Sequence, residues 1–175
     1  MNQTLTTIID IIVALAAFAG MGLGFYNLWS EKQKNKVKLE VIPKSVKDKD
    51  QNSDGRQLIL TTSNEFNIED SHGLYSFEVI NFSKFDVTVS EIGFLNSKGN
   101  DRASIPTPIF YDEKKWPRKL APRESVTLYA DLSSILKMKN VAHVNSAFAI
   151  TTCKHMEKGT SESLIQLVRY AKKHA

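Results

Sequence analysis

Apolar positions run almost unbroken near one end of the chain and alternate with polar ones along most of the rest. Residues 8–29, from Ile8 to Trp29, are apolar apart from Asp10 and Asn27. At about 1.5 Å rise per residue, a helix of that length reaches roughly 33 Å, enough to cross a ~30 Å hydrocarbon core. Positions 11–26 show no polar face of the kind a soluble core helix carries. A cleaved signal peptide is disfavoured: no Lys or Arg precedes the apolar run, which continues well past the cleavage-like Ala17-Phe18-Ala19. The segment reads as a retained transmembrane helix over 8–29, with 1–7 a short tail and 30–36 a basic juxtamembrane linker.

From residue 37 the period changes to two. Val37, Leu39 and Val41 alternate with Lys38 and Glu40, predicting a half-buried strand. Residues 43–57 hold Pro, Lys, Asp, Asn, Ser and Gly and read as a polar loop. Strands are then expected from Leu58, over 74–80 with Tyr75, Phe77 and Val79 on one face, and from Val87 to Phe94. In the last of these the apolar parity switches between Val89 and Ile92, predicting a bulge near Ser90 and Glu91. Pro106, Pro108 and Trp116-Pro117 oppose any sustained helix over 104–120. Another strand is expected over 126–130, then a short helix over 132–139 capped by Asp131, then a closing strand over 147–152. The fold class is therefore mainly β: a transmembrane helix followed by an immunoglobulin-like Greek-key β-sandwich over 37–160. Residues 161–175 form a C-terminal amphipathic helix capped by Ser161, acidic at Glu162 and basic at Arg169, Lys172 and Lys173.

Charge sharpens the membrane reading. All 23 basic residues follow Ser30, together with every acidic residue except Asp10, in a chain of net charge +4. Lys32, Lys34, Lys36 and Lys38 crowd the C-terminal flank of the apolar run, and basic flanks stay cytoplasmic. This predicts a single pass through the cell inner membrane, N-terminus outside and the large domain in the cytoplasm, with Trp29 at the interface. The basic excess is expected to face the lipid bilayer rather than nucleic acid, since no basic run is interleaved with stacking aromatics. The lone Cys153 cannot form an internal disulfide and suits a reducing compartment. Within the helix, Ala16, Gly20 and Gly24 make a small-residue stripe through which two copies could self-associate.

Candidate chemistry is sparse. Asp50-Gln-Asn52-Ser-Asp54-Gly55 has the opening spacing of a calcium loop, but Thr61 stands where the bidentate Glu belongs, so a solvated inter-strand loop is expected. Cys153 and His155 read as a polar turn at a strand end. No second pair has zinc-ligand spacing, and His72 and His143 stand apart. Nucleophile-elbow, phosphate-loop and His-Glu-x-x-His motifs are missing. No catalytic, metal-binding or cofactor-binding residue is assigned, and no cofactor is expected.

Phe77-Glu-Val-Ile-Asn81, Asp86-Val-Thr-Val-Ser-Glu-Ile-Gly-Phe94, Leu120-Ala-Pro-Arg-Glu-Ser-Val-Thr127 and Ala147-Phe-Ala-Ile-Thr151, placed behind one apolar helix, carry a resemblance. The chain resembles uncharacterised bacterial and phage single-pass membrane proteins with a small immunoglobulin-like domain. The resemblance spans most of the chain and implies a fold; it supplies no active-site residues. Here Ser83-Lys84-Phe85 replaces the glycine or proline turn usual in such proteins.

The expected function is that of a non-enzymatic adaptor or regulatory subunit, presenting a cytoplasmic β-sandwich to a protein partner. The candidate contact surface is the 104–120 segment, through Tyr111 and Trp116; the rival reading has its aromatics folded back over the core. The alternative function is an exported pilin-like structural subunit, with Asp10 as the early acidic residue. A membrane-bound hydrolase would require His72 or His155 to converge with carboxylates.

Overall fold

The computed structural model describes residues 3–49, 59–69, 71–96, 101–112 and 115–174. The chain divides into two compact units, Met1–Lys36 and Val37–Ala175. The first is a single helix, α1 (Gln3–Lys34). It continues without a break past Trp29 and takes in Lys32 and Lys34, so the basic linker expected over 30–36 begins as helix. From Ile9 to Lys34 it is long and apolar enough to cross a membrane, and none of that stretch is buried against protein.

The second unit is mainly β, with nine strands among the described residues: β1 (Leu39–Lys49), β2 (Ile59–Ser63), β3 (Ser71–Asn81), β4 (Val87–Asn96), β5 (Arg102–Ser104), β6 (Arg118–Leu120), β7 (Ser125–Asp131), β8 (Val144–Thr151) and β9 (Met156–Gly159). A short helix, α2 (Leu132–Leu136), follows β7, and α3 (Glu162–Lys173) closes the unit. The strands form two antiparallel sheets. One has the order β2-β1-β3-β7; in the other β4 lies beside β8, which pairs with β9, while β5 and β6 pair with β4.

The alternation along β3 explains how the sheets meet. Tyr75, Phe77 and Val79 are fully buried. Their rings reach across to Phe94 of β4, at 5.1 Å from Phe77 and 6.2 Å from Tyr75. Both sheets thus share one core with Val41, Val89, Ile92, Leu128 and Ala149. Burying each such aliphatic or aromatic side chain contributes roughly 1.5–3 kcal/mol. The parity switch in β4 is a true bulge: Val89 pairs with Thr151 but Glu91 with Ile150, leaving Ser90 unpaired in the ladder. Its hydroxyl donates to the Ile150 carbonyl at 3.2 Å. The extra residue lets Val89 and Ile92 both face the core.

β1 corrects the sequence reading. It runs through 43–49, where a polar loop was expected, and Val46 within it is fully buried. Pro43 is accommodated because β2 pairs only from Ser45 onward. The Pro43 carbonyl turns away from β3 to accept the Ser161 hydroxyl, so the N–H that proline lacks would have met no ladder partner. On the same side β9 packs directly on β1: a Cβ built on Gly159 would sit 1.6 Å from the Val41 carbonyl oxygen. Only glycine permits that approach. The Asp50 to Gly55 loop lies outside the described residues.

α3 is held by its apolar side, with Leu164, Leu167, Val168 and Ala171 all buried in the shared core. Its N-cap is Ser161, whose hydroxyl accepts from the Leu164 amide at 3.2 Å. The Ser163 hydroxyl donates to the buried Tyr75 hydroxyl at 3.4 Å, and burial pushes the Tyr75 phenol pKa up.

Candidate functional site

The 104–120 segment crosses the outer edge of β7. Ile109 makes a two-way bridge with Tyr129, its amide donating at 2.8 Å and its carbonyl accepting at 2.9 Å. Among its described residues the backbone bends at 106–107, 111–112 and 116–117, on either side of that bridge, and the segment splits its aromatics between two environments. Phe110 and Trp116 pack together, ring centroids 5.7 Å apart, and both lie half-buried against the core. Tyr111 turns outward, 65% exposed, with its ring edge-on to Tyr129 at 4.7 Å. The two candidate contact residues therefore do not share a surface. Tyr111 and the exposed Ile109 form the accessible part, while Trp116 helps fix the segment to the core.

The fixing extends to a charged pair that the sequence pattern did not single out. Arg118, 5% exposed, donates through both terminal nitrogens to the two carboxylate oxygens of Asp112. A bidentate pair of this kind holds orientation as well as charge, so it clamps the segment's two limbs. Its only sequence trace is a basic residue on a short strand. Burial raises the Tyr129 phenol pKa, and the neighbouring Tyr111 raises it further. Beside this segment lies a mostly apolar groove of about 510 Å³, whose walls include Ile105, Pro106, Ile109, Ile135 and Met138.

Cys153 and His155 lie in the tight turn between β8 and β9. The Cys153 thiol sits 3.0 Å from the Thr151 hydroxyl, and that hydroxyl also accepts the His155 amide at 3.1 Å. The Thr151 hydroxyl, then the backbone of His155, hold the Cys153 thiol below its ordinary pKa. The His155 ring faces Glu157 at 3.4 Å. Among the described residues no group of three His, Cys, Asp or Glu side chains is placed to hold a metal. In α1, a Cβ added at Gly20 or Gly24 would meet nothing within 4 Å, so the Ala16, Gly20 and Gly24 stripe is open along the helix.

A second cluster, missed by sequence reading, gathers where the chain enters the β unit. Asn81, fully buried at the end of β3, is its hub. Its side-chain amide donates to the carbonyls of Phe85, Leu120 and Ala121 at 2.9, 3.0 and 3.2 Å. Its side-chain oxygen accepts the Ser83 amide at 2.9 Å. The backbone of Asn81 adds bonds to Glu124 and Arg123, and Phe82 donates to the Lys38 carbonyl. One satisfied buried amide thus fastens the 82–86 and 121–124 turns to the end of β3, and the Phe82 bond ties them to the chain entering β1. Compared with family models, curated proteins and solved structures, the chain matches none.

Proposed function

We propose that this chain is a single-pass membrane protein whose β unit, an immunoglobulin-like sandwich in type, faces the cytoplasm and binds another protein without doing chemistry of its own. The observation that carries the reading is α1. Its large apolar side chains from Ile9 to Trp29 are all more than 50% exposed, with Leu15, Phe18, Leu23 and Leu28 above 60%. Such a surface is stable only inside a medium as apolar as itself. The lysines that follow favour the cytoplasmic side for the β unit. Tyr111 and Ile109, rigidly presented at the edge of β7, are the proposed partner contact. An aromatic held in place costs little entropy on binding.

Two measurements test this. Protease added to sealed right-side-out vesicles should leave the β unit intact, whereas inside-out vesicles should lose it; the reverse pattern excludes the cytoplasmic placement. A photocrosslinker replacing Tyr111 in intact membranes should capture a discrete protein that the same group at Arg169, on the exposed side of α3, does not. Equal capture at both positions rejects the contact. Sequencing the mature N-terminus separates an anchor from a cleaved signal or a processed pilin-like subunit.

A further inference from the structure

The β unit ends, on the side where the chain enters it, in three turns: 82–86, 121–124 and 152–155. The first two are fastened to Asn81 and Lys38. The third joins the same end, since the Thr152 amide donates to the Thr88 carbonyl near the start of β4. Every turn tip carries an exposed cation: Lys84, Arg123 and Lys154, beside the exposed Lys38. Arg123 and Lys154 both sit in the left-handed backbone region, at φ 65° and 66°, which sharpens their turns. Asp86, an acid of this end, pairs with a fifth cation, Lys119, at 2.7 Å. Among the described residues no ion pair engages the other four. Beside Lys38, whose carbonyl accepts its amide, Phe82 stands 53% exposed, although the residues on both sides of it, Asn81 and Ser83, are buried.

We propose that this end of the β unit docks on the anionic phospholipid headgroups of the bilayer that holds α1. The cations would meet lipid phosphates and carboxylates while Phe82 enters the interfacial layer. This rests on the reading of α1 as the anchor and adds which face of the β unit lies on lipid. Covalent reach supports it: residues 30–38 span at most ~30 Å however they are arranged. The tether therefore keeps the basic end at high effective concentration beside the membrane. Cations and an apolar ring together suit a lipid surface, whose outer charge and inner apolarity are layered in that order. The Tyr111 edge, beside Tyr129 of β7, is not part of this surface.

Cys153, the chain's single thiol, lies in the third turn and provides the reporter. The full-length protein, carrying a fluorophore on Cys153, is reconstituted in nanodiscs of phosphatidylcholine alone or with phosphatidylserine. A trace of headgroup-spin-labelled lipid serves as the quencher. Quenching should rise with phosphatidylserine. It should fall again at ~1 M salt, where the screening length is about 3 Å, and in the Lys84→Glu/Arg123→Glu variant. Each cation moved off an anionic surface should shift the docked population by roughly fivefold. A fluorophore placed instead on Ser134→Cys in a Cys153→Ser background should stay unquenched. Equal quenching in both lipids, or at both label positions, overturns the docking. So does quenching indifferent to both salt and charge reversal. Chain that leaves the discs without detergent overturns the anchor reading instead, and is scored separately by flotation.

Discussion

α1 and α3 place similar residue types in opposite circumstances. Along α1, Leu15, Phe18 and Leu28 are 64%, 68% and 67% exposed, and the apolar side chains point in every direction. Along α3, Leu164 and Leu167 are 1% and 0% exposed, while Glu162, Arg169, Lys172 and Lys173 stay outside. The positions 164, 167, 168 and 171 follow helical spacing, so one stripe of α3 suffices to reach the core. α1 has no such stripe, and no packing against one sheet could cover it. The difference lies in the angular distribution of the apolar residues. Their amount alone would not separate the two.

Substitutions in the two helices break that comparison most directly. Leu167→Ala should cost about 2–5 kcal/mol, because a fully buried leucine leaves a cavity behind. Leu15→Ala should change stability by less than ~0.5 kcal/mol, as for an exposed site. Denaturant unfolding of the full chain in micelles, followed by near-ultraviolet circular dichroism, measures both. A large loss from Leu15→Ala would mean that α1 packs on protein after all. Next in size is Leu15→Arg, which should weaken the proposed membrane integration by up to about 2.5–3.5 kcal/mol, the cost of an arginine at the centre of a span. Alkaline extraction of membranes reads it, with Ile165→Arg on the exposed side of α3 as the neutral counterpart.

Much of this was legible because it is local. An uninterrupted apolar run, a period-two strand such as β3, a parity switch at Ser90 and two cap residues, Asp131 and Ser161, each announce themselves within a few positions. What stayed hidden depends on distant partners. β5, β6 and β9 are three or four residues long and partly polar, and they are strands only because β4 and β8 offer them an edge. The second half of β1 read as loop for the same reason: it is a strand because β2 pairs with it on one side and β3 on the other, with an irregularity against β3 at Val46, which no local window records. Asn81 was quoted as the end of a strand motif, yet its role comes from carbonyls roughly forty positions away. The 104–120 segment was read with two outcomes open, and its residues divide between them: Trp116 folds toward the core, Tyr111 does not.

The caps sharpen the contrast further, since α3 depends on protein contacts that α1 lacks. Ser161→Ala should destabilise by about 1 kcal/mol through loss of the bond to the Leu164 amide. The loss should appear in the same unfolding assay and be the same at every pH below neutrality, because a hydroxyl does not titrate there.

Asp131 caps α2 with a group that does titrate. Its carboxylate accepts the Ser134 amide and the Ser133 hydroxyl, each at 2.7 Å. Hydrogen bonds from Ser134 and then Ser133 lower its pKa from the ordinary 3.8 to about 2. The folded state therefore releases this proton more readily than the unfolded chain. Its contribution to stability is complete above about pH 4 and is lost as the pH falls toward 2. The side chain is exposed, so solvent screening holds the effect to about 0.5 kcal/mol or less. Asp131→Asn keeps an acceptor for the Ser134 amide and removes the titration. The stability gap between wild type and this variant should narrow between pH 4 and pH 2, while the gap for Ser161→Ala stays constant. A gap for Asp131→Asn that holds steady across that range would show that the carboxylate's charge adds nothing to the cap.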